Sequence, residues 1–574
     1  MSECQEVRLQ RETHRRLKQY GSLRGKEVQP GEFWDIVVIT AADRQQELAY
    51  RLQINEKLVR KELPLGVRYH VFSDPPGPKI GNGGSTLYSV QCLEQIYAAE
   101  LERVTVMLIH AGGYSQRLPN ASALGKIFTA LPLGEPTYQM LDVKLAMYID
   151  FPRNMKPGVL VTCADDLELY ASGDLAVAFD RPGITALAHP STLTIGTTHG
   201  VFVLGDSVPG YEELQYRQCK SYLHKPSIEK MHQSGAVNIL QSEGSMPDAE
   251  VVYTDSLFYM DHYTVRRLLG FFRDLGGLSC EIDAYGDFLQ ALGPDATAEY
   301  TENVANVSKI ESQLTDVRKK IYYLLRGTEF AVVLLNNSKF YHIGTTREYL
   351  RHFTSDPQLR AQLGLGSKVF SLVPGGAEET ACVIQSVLDP TAAVSPDSVV
   401  EYSRLGPDVT IGGHCIVSGV SLPIGSHVPP KSFVSSFSLR VGEQLVYSTV
   451  ALGIDDNLKT SVSSLADVSS LQFCGRSLSK CLNLWGIRVS QELFSGDPKA
   501  LSLWTARIFP VGETLADSVK LSIEMLGGAA CGESLGILGN VKRVSMEEIL
   551  LHKDVEAMLH FRQLLYTDIV SHNL

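Results

Sequence analysis

The chain lacks the sequence features of several protein classes. It has no apolar run near the roughly 18 residues of a membrane span, and its polar start contains no signal-peptide core. None of its 10 cysteines pair at the C-x-x-C spacing of zinc ribbons or redox motifs. Lys and Arg number 52 against 64 Asp and Glu, which argues against nucleic-acid binding. We therefore expect a cytoplasmic protein with reduced thiols that binds neither nucleic acid nor a membrane.

Three familiar catalytic motifs are also missing. The glycine-rich segment 81–86 fails the G-x-G-x-x-G pattern of dehydrogenases, because Thr86 takes the last glycine position. No Gly-Lys-Ser/Thr follows it, so a P-loop ATPase loses its main support. The chain also has no G-x-S-x-G motif and no clear Cys–His pairing that would indicate a covalent nucleophile.

The composition is that of a globular protein of several domains. Of 574 residues, 44% are hydrophobic and 20% are charged. At roughly 100–200 residues per domain, this length predicts two to four domains. We predict a helical lead over residues 1–30, an α/β domain over 31–355, a β module over 366–460 and its extension over 461–574.

Apolar segments that predict strands alternate with predicted helices up to about residue 300. This alternation predicts an α/β domain with a parallel sheet and helices on both faces. Ligands bind such sheets at the carboxyl ends of the strands. The predicted strands are 33–40, 67–72, 104–109, 158–162, 200–204, 256–260 and 330–335, and the predicted helices are 43–63, 87–100 and 301–330.

A six-residue repeat marks the β module. Apolar residues recur at Ala393, Val399, Leu405, Ile411 and Val417, which is the pattern of a left-handed β-helix. The alternative is an all-β segment with a chance repeat, since the pattern slips at Ile424. Strand edges of a β-helix either pair with a second copy or are capped, so homo-oligomerisation through this module stays open. For the last segment we predict strands at 482–489 and 505–509 and helices near 515–525 and 546–559.

The segment HAGGYSQRLP at 110–119 is the strongest candidate for phosphate chemistry. Gly112 and Gly113 directly follow a predicted strand, where glycine lets the backbone N–H groups approach a phosphate. Arg117 offers a fork of donors to phosphate oxygens, and Lys126 supplies a second cation. The alternative is a glycine turn with two surface cations.

A second candidate is the loop predicted at 81–86. Its residues Gly83, Gly84 and Ser85 precede a helix whose positive end suits an anion. The alternative is a simple turn with a helix cap.

Carboxylates and further polar groups also lie near predicted strand ends. Asp165 and Asp166 follow the strand 158–162 and are candidate Mg²⁺ ligands, unless they cap a helix. Gly200, Lys225 and Asp255 lie beside later strands, and each alone is more often a loop residue than a site residue. We expect His199 to be structural.

Long segments of the chain resemble the sugar nucleotidyltransferases, and more closely the L-fucose-1-phosphate guanylyltransferases, also called GDP-L-fucose pyrophosphorylases. The resemblance covers essentially the whole chain after residue 30. It implies a Rossmann-like nucleotidyltransferase sheet followed by a left-handed β-helix-like module. The segments that carry it are WDIVVITAADRQQELAYR, KIGNGGSTLYSVQCLEQIY, IHAGGYSQRLPNASALGKIFTALPLG, LVTCADDLELY and FYHIGTTREYL.

The resemblance implies a reaction in which GTP and L-fucose 1-phosphate give GDP-L-fucose and pyrophosphate with Mg²⁺, in fucose salvage. It implies catalytic roles for Arg117 and Lys126, and metal ligation by Asp166, with Asp165 beside it. The sugar phosphate would face Gly200, Lys225 and Asp255. Gly112, Gly113 and Arg117 would contact the triphosphate. From their places in the sequence we also expect nucleotide binding at Thr40 and Ala41, which end the first predicted strand, and at Gly83, Gly84 and Ser85 of the predicted loop.

Departures from the superfamily pattern keep other interpretations open. The usual G-G-x-G-T-R-L loop has Ser115 and Gln116 in place of its third glycine and its threonine, and Gly125 rather than proline precedes Lys126. The alternatives are a non-catalytic regulatory subunit, a nucleotidyltransferase for another sugar 1-phosphate, and a hexapeptide acyltransferase with His414 as base. Retention of Arg117, Lys126 and Asp166 favours an enzyme.

Overall fold

A computed structural model of the chain describes residues 4–205, 212–240, 249–374, 381–535 and 541–573. It is a mixed α/β structure with several sheets, in two compact units. The first unit comprises residues 1–112 and 142–341, and the second comprises residues 113–141 and 342–574. The chain therefore enters the second unit twice. Within the described ranges, no helix is both long and apolar enough to cross a bilayer.

The elements of the first unit run in chain order as follows. Its helices are α1 Gln5–Leu23, α2 Arg44–Val59, α3 Gly81–Tyr97, α4 Met140–Met147, α5 Leu193–Gly196, α6 Ile228–Gln233, α7 His262–Leu275 and α8 Leu314–Leu325. Its strands are β1 Ile36–Ala41, β2 Arg68–Ser73, β3 Thr105–His110, β4 Gly158–Cys163, β5 Asp166–Ala171, β6 Ile184–Ser191, β7 Gly200–Leu204, β8 Leu214–His224, β9 Asn238–Leu240, β10 Ala249–Asp261, β11 Phe330–Leu335 and β12 Asn337–His342.

One sheet forms the centre of the first unit, with strand order β2-β1-β3-β4-β10-β6-β11-β8-β7. β1 is parallel to β2 and β3, and β3 is parallel to β4. β10 is antiparallel to β4 and β6, and β8 is antiparallel to β11 and β7. The prediction of a parallel sheet is therefore correct for β1–β4 and for the parallel pair β6 and β11, and wrong for the pairs that involve β10 or β8. The connection from β7 to β8 is shorter than the crossover that parallel neighbours need.

Two helices, α7 and α3, pack on this sheet. In α7, Val265, Leu268, Leu269 and Phe272 are buried at the spacing of one helix face. In α3, Leu87, Val90 and Leu93 join the same hydrophobic core. Residues 301–330, predicted to be helical, are helical mainly in α8.

The second unit continues the element order. Its helices are α9 Thr346–Thr354, α10 Pro357–Leu363, α11 Leu478–Leu484, α12 Leu515–Cys531, α13 Met546–His552 and α14 Val555–Asn573. Its strands are β13 Lys368–Val369, β14 Cys382–Ile384, β15 Val387–Leu388, β16 Ala393–Val394, β17 Val399–Glu401, β18 Arg404–Leu405, β19 Thr410–Ile411, β20 Ile416–Ser418, β21 Ser421–Leu422, β22 His427–Val428, β23 Ser432–Val441, β24 Gln444–Gly453, β25 Ser461–Val462, β26 Gln472–Phe473, β27 Arg476–Ser477, β28 Leu501–Ser502, β29 Phe509–Gly512 and β30 Arg543–Val544.

Short parallel strands of the second unit stack in three ladders. β14, β17, β20 and β23 form one ladder, in which Val383, Val400, Val417 and Val434 stand in register. β15, β18 and β21 form the second, and β16, β19 and β22 form the third. The five residues of the six-residue repeat each lie in a different strand, β16 to β20. The repeat therefore corresponds to successive sides of parallel coils. His414, the base of the acyltransferase alternative, is exposed in the turn between β19 and β20.

Predictions for the C-terminal segment were partly wrong. The segment predicted as a strand at 482–489 overlaps α11, in which Leu478, Cys481 and Leu482 are buried on one helical face. The strand predicted at 505–509 begins at Phe509 as β29. The helix predicted near 515–525 is α12, and the one predicted at 546–559 is two helices, α13 and α14.

Candidate active site

The order of the first strands predicts a ligand-binding crevice at the carboxyl edge of the sheet. The chain passes from β1 to β2 on one side and then returns to β3 on the other. Ligands bind open α/β sheets where the strand order reverses in this way. Gly112, which follows β3, lies at this point: a Cβ added there would be 3.1 Å from the nitrogen of Ala42 and 3.2 Å from the carbonyl carbon of Ala41. The sequence-predicted residues Ala41 and Gly112 are thus brought together.

Two side chains hold the backbone that precedes Gly112. The Oγ1 of Thr40 accepts a 3.1 Å hydrogen bond from the N–H of Ala111. The hydroxyl of Tyr50 donates a 2.8 Å bond to the carbonyl of Ala111. Thr40 is buried, so its structural role is to fix the glycine segment.

The end of β1 has some of its backbone groups already bonded. The carbonyl of Ala41 accepts a 2.9 Å bond from the N–H of Asp74, and the N–H of Ala42 donates a 2.8 Å bond to Oε1 of Gln46. A carbonyl has two lone pairs, so the oxygen of Ala41 retains acceptor capacity toward a ligand. The N–H of Ala42 has only one hydrogen, which it already donates to Gln46, so it is not available to a ligand.

The glycine-rich segment 81–86 is helical, so its prediction as a loop was wrong. α3 begins at Gly81, and the N–H of Gly83 donates a 2.8 Å bond to the carbonyl of Ile282. A Cβ on Gly83 would come within 2.9 Å of Ile282 and Ala284, and one on Gly84 within 2.6 Å of Ile80. These glycines therefore allow close packing at the start of the helix. Buried Ser85 donates a 2.5 Å bond to Asp74, whose pKa is raised by burial to about 6.

His110, which directly precedes the glycine segment, is a site residue that motif reasoning did not single out. Its Nε2 lies 2.7 Å from the Oγ1 of Thr86, joining β3 to α3. Burial lowers the pKa of His110 to about 4, so the ring is neutral at physiological pH. Its Nδ1 has no hydrogen-bond partner within the described ranges.

Tyr285 connects three strands, the ends of β3 and β4 and the middle of β10. It lies in the helical turn Ala284–Phe288, and its hydroxyl donates a 3.3 Å bond to the carbonyl of Ser256 in β10. The same hydroxyl is 3.4 Å from the Sγ of Cys163 at the end of β4, and its ring centroid is 6.3 Å from that of His110. No motif contains Tyr285, so only the three-dimensional structure identifies it.

Asp166 is buried against a lysine. The carboxylate is 4% exposed and contacts the ammonium of Lys144, which is 1% exposed. Burial raises the pKa of Asp166 to about 6, while Lys144 opposes that shift. Asp166 begins the strand β5, so the alternative that it caps a helix was wrong. Lys144 was not predicted, because it lies alone in an apolar helix.

Asp165 suits a magnesium ion better than Asp166 does. It lies between β4 and β5 and is partly exposed. Mg²⁺ in nucleotide sites uses one or two carboxylates together with phosphate oxygens and water. No group of three or more His, Cys, Asp or Glu side chains in the described part of the chain is arranged to hold a metal. A magnesium ion held by Asp165 would have to take most of its ligands from phosphate oxygens and water.

Gly200 and Asp255, both predicted from sequence, lie in contact. Oδ1 of Asp255 accepts a 2.8 Å bond from the N–H of Gly200, and Oδ2 accepts a 2.6 Å bond from the hydroxyl of Tyr222. The ring of Tyr222 lies directly on Gly200. Both oxygens of Asp255 thus have partners within the protein.

Lys225 lies just beyond β8 with an exposed side chain. Its backbone has φ +50°, in the left-handed region that a residue with a Cβ seldom adopts. The N–H of Lys225 donates a 3.0 Å bond to the carbonyl of His199. The ring of His199 packs edge-on against Phe340, with centroids 5.5 Å apart, which agrees with a structural role for this histidine. Non-glycine residues with such backbone angles concentrate at functional sites.

The predicted catalytic cations belong to the second unit. Arg117 is exposed, and no residue of the described ranges accepts a hydrogen bond from its guanidinium. Its carbonyl accepts a 2.9 Å bond from the N–H of Thr346 at the start of α9. Lys126 opens the short helical turn Lys126–Phe128 after Gly125, which has φ +91°.

The loop before Arg117 needs unusual backbone angles. Gly113 has φ +125° and Ser115 has φ +48°. Ser115 occupies the position where the superfamily pattern has its third glycine. Ser115 therefore adopts a left-handed conformation that glycine adopts more readily.

Comparison with known proteins identifies the family. The family model described as the fucose pyrophosphorylase domain matches residues 98–514. The chain is 57% identical to the human protein named fucose-1-phosphate guanylyltransferase, over 98% of this chain and 95% of that protein. The chain belongs to the fucose-1-phosphate guanylyltransferase family. The resemblance stated from the sequence motifs is thereby confirmed.

Other members of the fucose-1-phosphate guanylyltransferase family agree with this assignment. The mouse protein of that name is 56% identical, over 98% of both chains. An Arabidopsis thaliana protein named bifunctional fucokinase/GDP-fucose pyrophosphorylase is 24% identical over 90% of this chain and 50% of its own length.

Proposed function

We propose that this chain transfers GMP from GTP to L-fucose 1-phosphate in the cytoplasm, giving GDP-L-fucose and pyrophosphate for fucose salvage. The observation that carries the proposal is the 57% identity that extends over 98% of the chain. The site geometry supports it, because a glycine lies where the strand order reverses.

The reaction requires one displacement at phosphorus. An oxygen of the sugar 1-phosphate attacks the α-phosphorus of GTP and forms a new P–O bond. The bond from the α-phosphorus to the oxygen that bridges to the β-phosphorus breaks, and pyrophosphate leaves with the electron pair. The protein positions the two phosphates and stabilises the charge that develops.

Glycine backbone and two cations act on the triphosphate in this proposal. Gly112 and Gly113 admit the phosphate chain close to the backbone. Arg117 binds phosphate oxygens through its guanidinium fork, and Lys126 binds the reacting phosphate. The exposed guanidinium of Arg117 supports its role.

Mg²⁺ is the proposed cofactor, with Asp165 as the better suited ligand and Asp166 beside it. When bound, the ion neutralises phosphate charge and acts as a Lewis acid. Lys144 keeps the carboxylate of Asp166 in place, which fixes the turn that carries Asp165.

Lys225 binds the phosphate of L-fucose 1-phosphate in this account, because its ammonium is exposed at a strand end. Gly200 and Asp255 shape the sugar pocket. Asp255 acts through Tyr222 and the backbone of Gly200, since both of its oxygens are engaged by them.

The nucleotide residues fall into two groups by their place in the chain. Thr40 and Ala41 lie at the base end of the crevice, where the carbonyl of Ala41 accepts a hydrogen bond from guanine. Buried Gly83, Gly84 and Ser85 hold α3 against the segment behind the site.

We further propose that the sheet of the first unit is Rossmann-like and that the coils of the second unit form a left-handed β-helix. A homo-oligomer would assemble through this β-helix module.

The experiment is a product assay with purified full-length chain, GTP, L-fucose 1-phosphate and Mg²⁺. We expect GDP-L-fucose and pyrophosphate in equal amounts. Omission of the sugar phosphate should leave GTP intact. Hydrolysis of GTP without sugar nucleotide, or no consumption of GTP, would refute the proposal.

A further inference from the structure

A cavity of about 200 Å³ lies within the second unit, between β23, β24 and α14. Phe437, Tyr447, Leu515 and Phe561 form apolar parts of its wall. Leu564, which is 48% exposed, lies at its rim, so the cavity reaches solvent. Its size suits one small organic molecule, because a water takes up only about 30 Å³.

One polar wall residue has an unused acceptor. Asn120 lines the cavity and is 8% exposed. Its Nδ2 donates a 2.9 Å bond to Oε1 of Glu401. Its Oδ1 has no hydrogen-bond partner within the described part of the chain. A buried amide oxygen without a donor is costly, so the site favours an occupant that carries an N–H or O–H group.

The orientation of this amide is fixed by its partner. The carboxylate of Glu401 also accepts bonds of 2.6 Å from the hydroxyl of Ser418 and 2.7 Å from that of Tyr349. Turning the amide of Asn120 over would set its oxygen against the carboxylate. The Oδ1 therefore stays available.

A cationic side chain also lines the cavity. Arg562 on α14 lines the cavity, and its guanidinium stacks 3.7 Å from the ring centroid of Tyr402. Among the residues that the structure describes, no acidic side chain forms an ion pair with it. A stacked guanidinium presents its donor edge in a fixed plane, which suits a carboxylate.

We propose that this cavity binds a small organic acid with an apolar or aromatic body and a hydrogen-bond donor. The acid pairs with Arg562, the donor reaches Oδ1 of Asn120, and the body packs among the aromatic side chains. None of the residues that line this cavity is assigned to nucleotidyl transfer, although Asn120 follows Arg117 by three positions, and the proposal does not rest on that function.

Three related probes test the proposal on the full chain, by calorimetry without GTP or sugar phosphate. 4-Hydroxyphenylacetate has the acid, the ring and the donor. Phenylacetate lacks the donor, and 4-hydroxyphenylethanol lacks the acid. We expect saturable binding of the first probe and about 10-fold weaker binding of each of the others, since each loses one hydrogen-bonded group.

Variants locate the binding. Arg562→Met removes the cation, and Ala557→Phe fills the cavity from α14; each should weaken the first probe about 10-fold or more. Glu556→Ala, an exposed change on the same helix, is the control and should bind normally. Absence of saturable binding for all three probes, or equal binding by the wild type and both cavity variants, would overturn the proposal. A thermal melt of each variant verifies that it is folded.

Discussion

The hydroxyl of Tyr222 donates a 2.6 Å hydrogen bond to Asp255, and the same ring covers Gly200. A Cβ at Gly200 would lie 1.7 Å from that hydroxyl oxygen. The contact joins three adjacent strands, β7, β8 and β10, at one point of the sheet. The glycine is therefore required by packing, whatever it also does for the substrate.

Gly200→Ala should destabilise the protein by about 3 kcal/mol, because the buried ring has little room to move. Denaturant unfolding measures the change. Gly270→Ala is the control: nothing lies within 4 Å of its added Cβ, and it sits within α7. There alanine should be neutral or stabilise by about 0.5–1 kcal/mol. Equal stability of the Gly200→Ala and Gly270→Ala variants would contradict the close contact between Tyr222 and Gly200.

Arg117→Ala should lower kcat by about 10²–10³-fold, the usual cost of losing one donor to a charged transition state. The fold should be unaffected, because the side chain is exposed. Steady-state kinetics measure the effect. Arg347→Ala, another exposed arginine of the second unit, removes an ion pair with Asp455 and should keep normal kcat. Normal activity of the Arg117 variant would remove it from the site.

Asp165→Asn should impair magnesium-dependent turnover, whereas Asp166→Asn should impair stability. Asp165→Asn should reduce turnover and raise the Mg²⁺ concentration needed for half-maximal rate, with stability unchanged. Asp166→Asn leaves the buried ammonium of Lys144 without its carboxylate and should cost about 3–5 kcal/mol of stability. Magnesium titrations and denaturant curves separate the two. If Asp166→Asn alone shifts the magnesium requirement, our preference for Asp165 is wrong.

His110 should make stability depend on pH. Its pKa in the folded protein is about 4, below the ordinary 6.5. Between these values the unfolded chain binds a proton that the folded chain does not, so stability is full above about pH 6.5 and is lost as the pH falls toward 4. We expect a loss of about 2 kcal/mol from pH 7.5 to pH 5 through this group.

The matched variant for this prediction is His110→Gln, which retains a polar group near Thr86. Its unfolding free energy should fall less between the same two pH values than that of the wild type. Identical pH dependence of the two proteins would show that His110 is not the group responsible.

Much of the fold was predictable where chain-local patterns determine structure. β1, β3, β4 and β11 are apolar, β-branched runs, and they formed as predicted because such runs are buried on both faces of a sheet. The antiparallel half was not predictable, because strand direction depends on connections that a local pattern does not encode. Residues 81–86 were misassigned because glycine usually breaks helices, whereas Gly83 and Gly84 are needed for contact with Ile282 and Ile80.

The candidate site was predictable where residues sit in motifs. Gly112 and Arg117 share one short segment. The contact between Gly200 and Asp255 was not predicted, because Asp255 lies within β10 and meets Gly200 only where β7 approaches β10. Tyr222, Tyr285 and Lys144 were missed because each stands alone in the sequence and acquires its role only through a distant partner.

Choice of base tests the central claim most directly. At fixed L-fucose 1-phosphate and Mg²⁺, kcat/KM is measured for GTP, ATP, UTP and CTP. Phosphate-binding cations act on all four nucleotides alike, so any preference comes from hydrogen bonds to the base. Such hydrogen bonds can lower kcat/KM for a nucleotide with the wrong base by about 10⁴–10⁵-fold. The account predicts that GTP is preferred over UTP by at least about 10²-fold. Equal kcat/KM for GTP and UTP would contradict it.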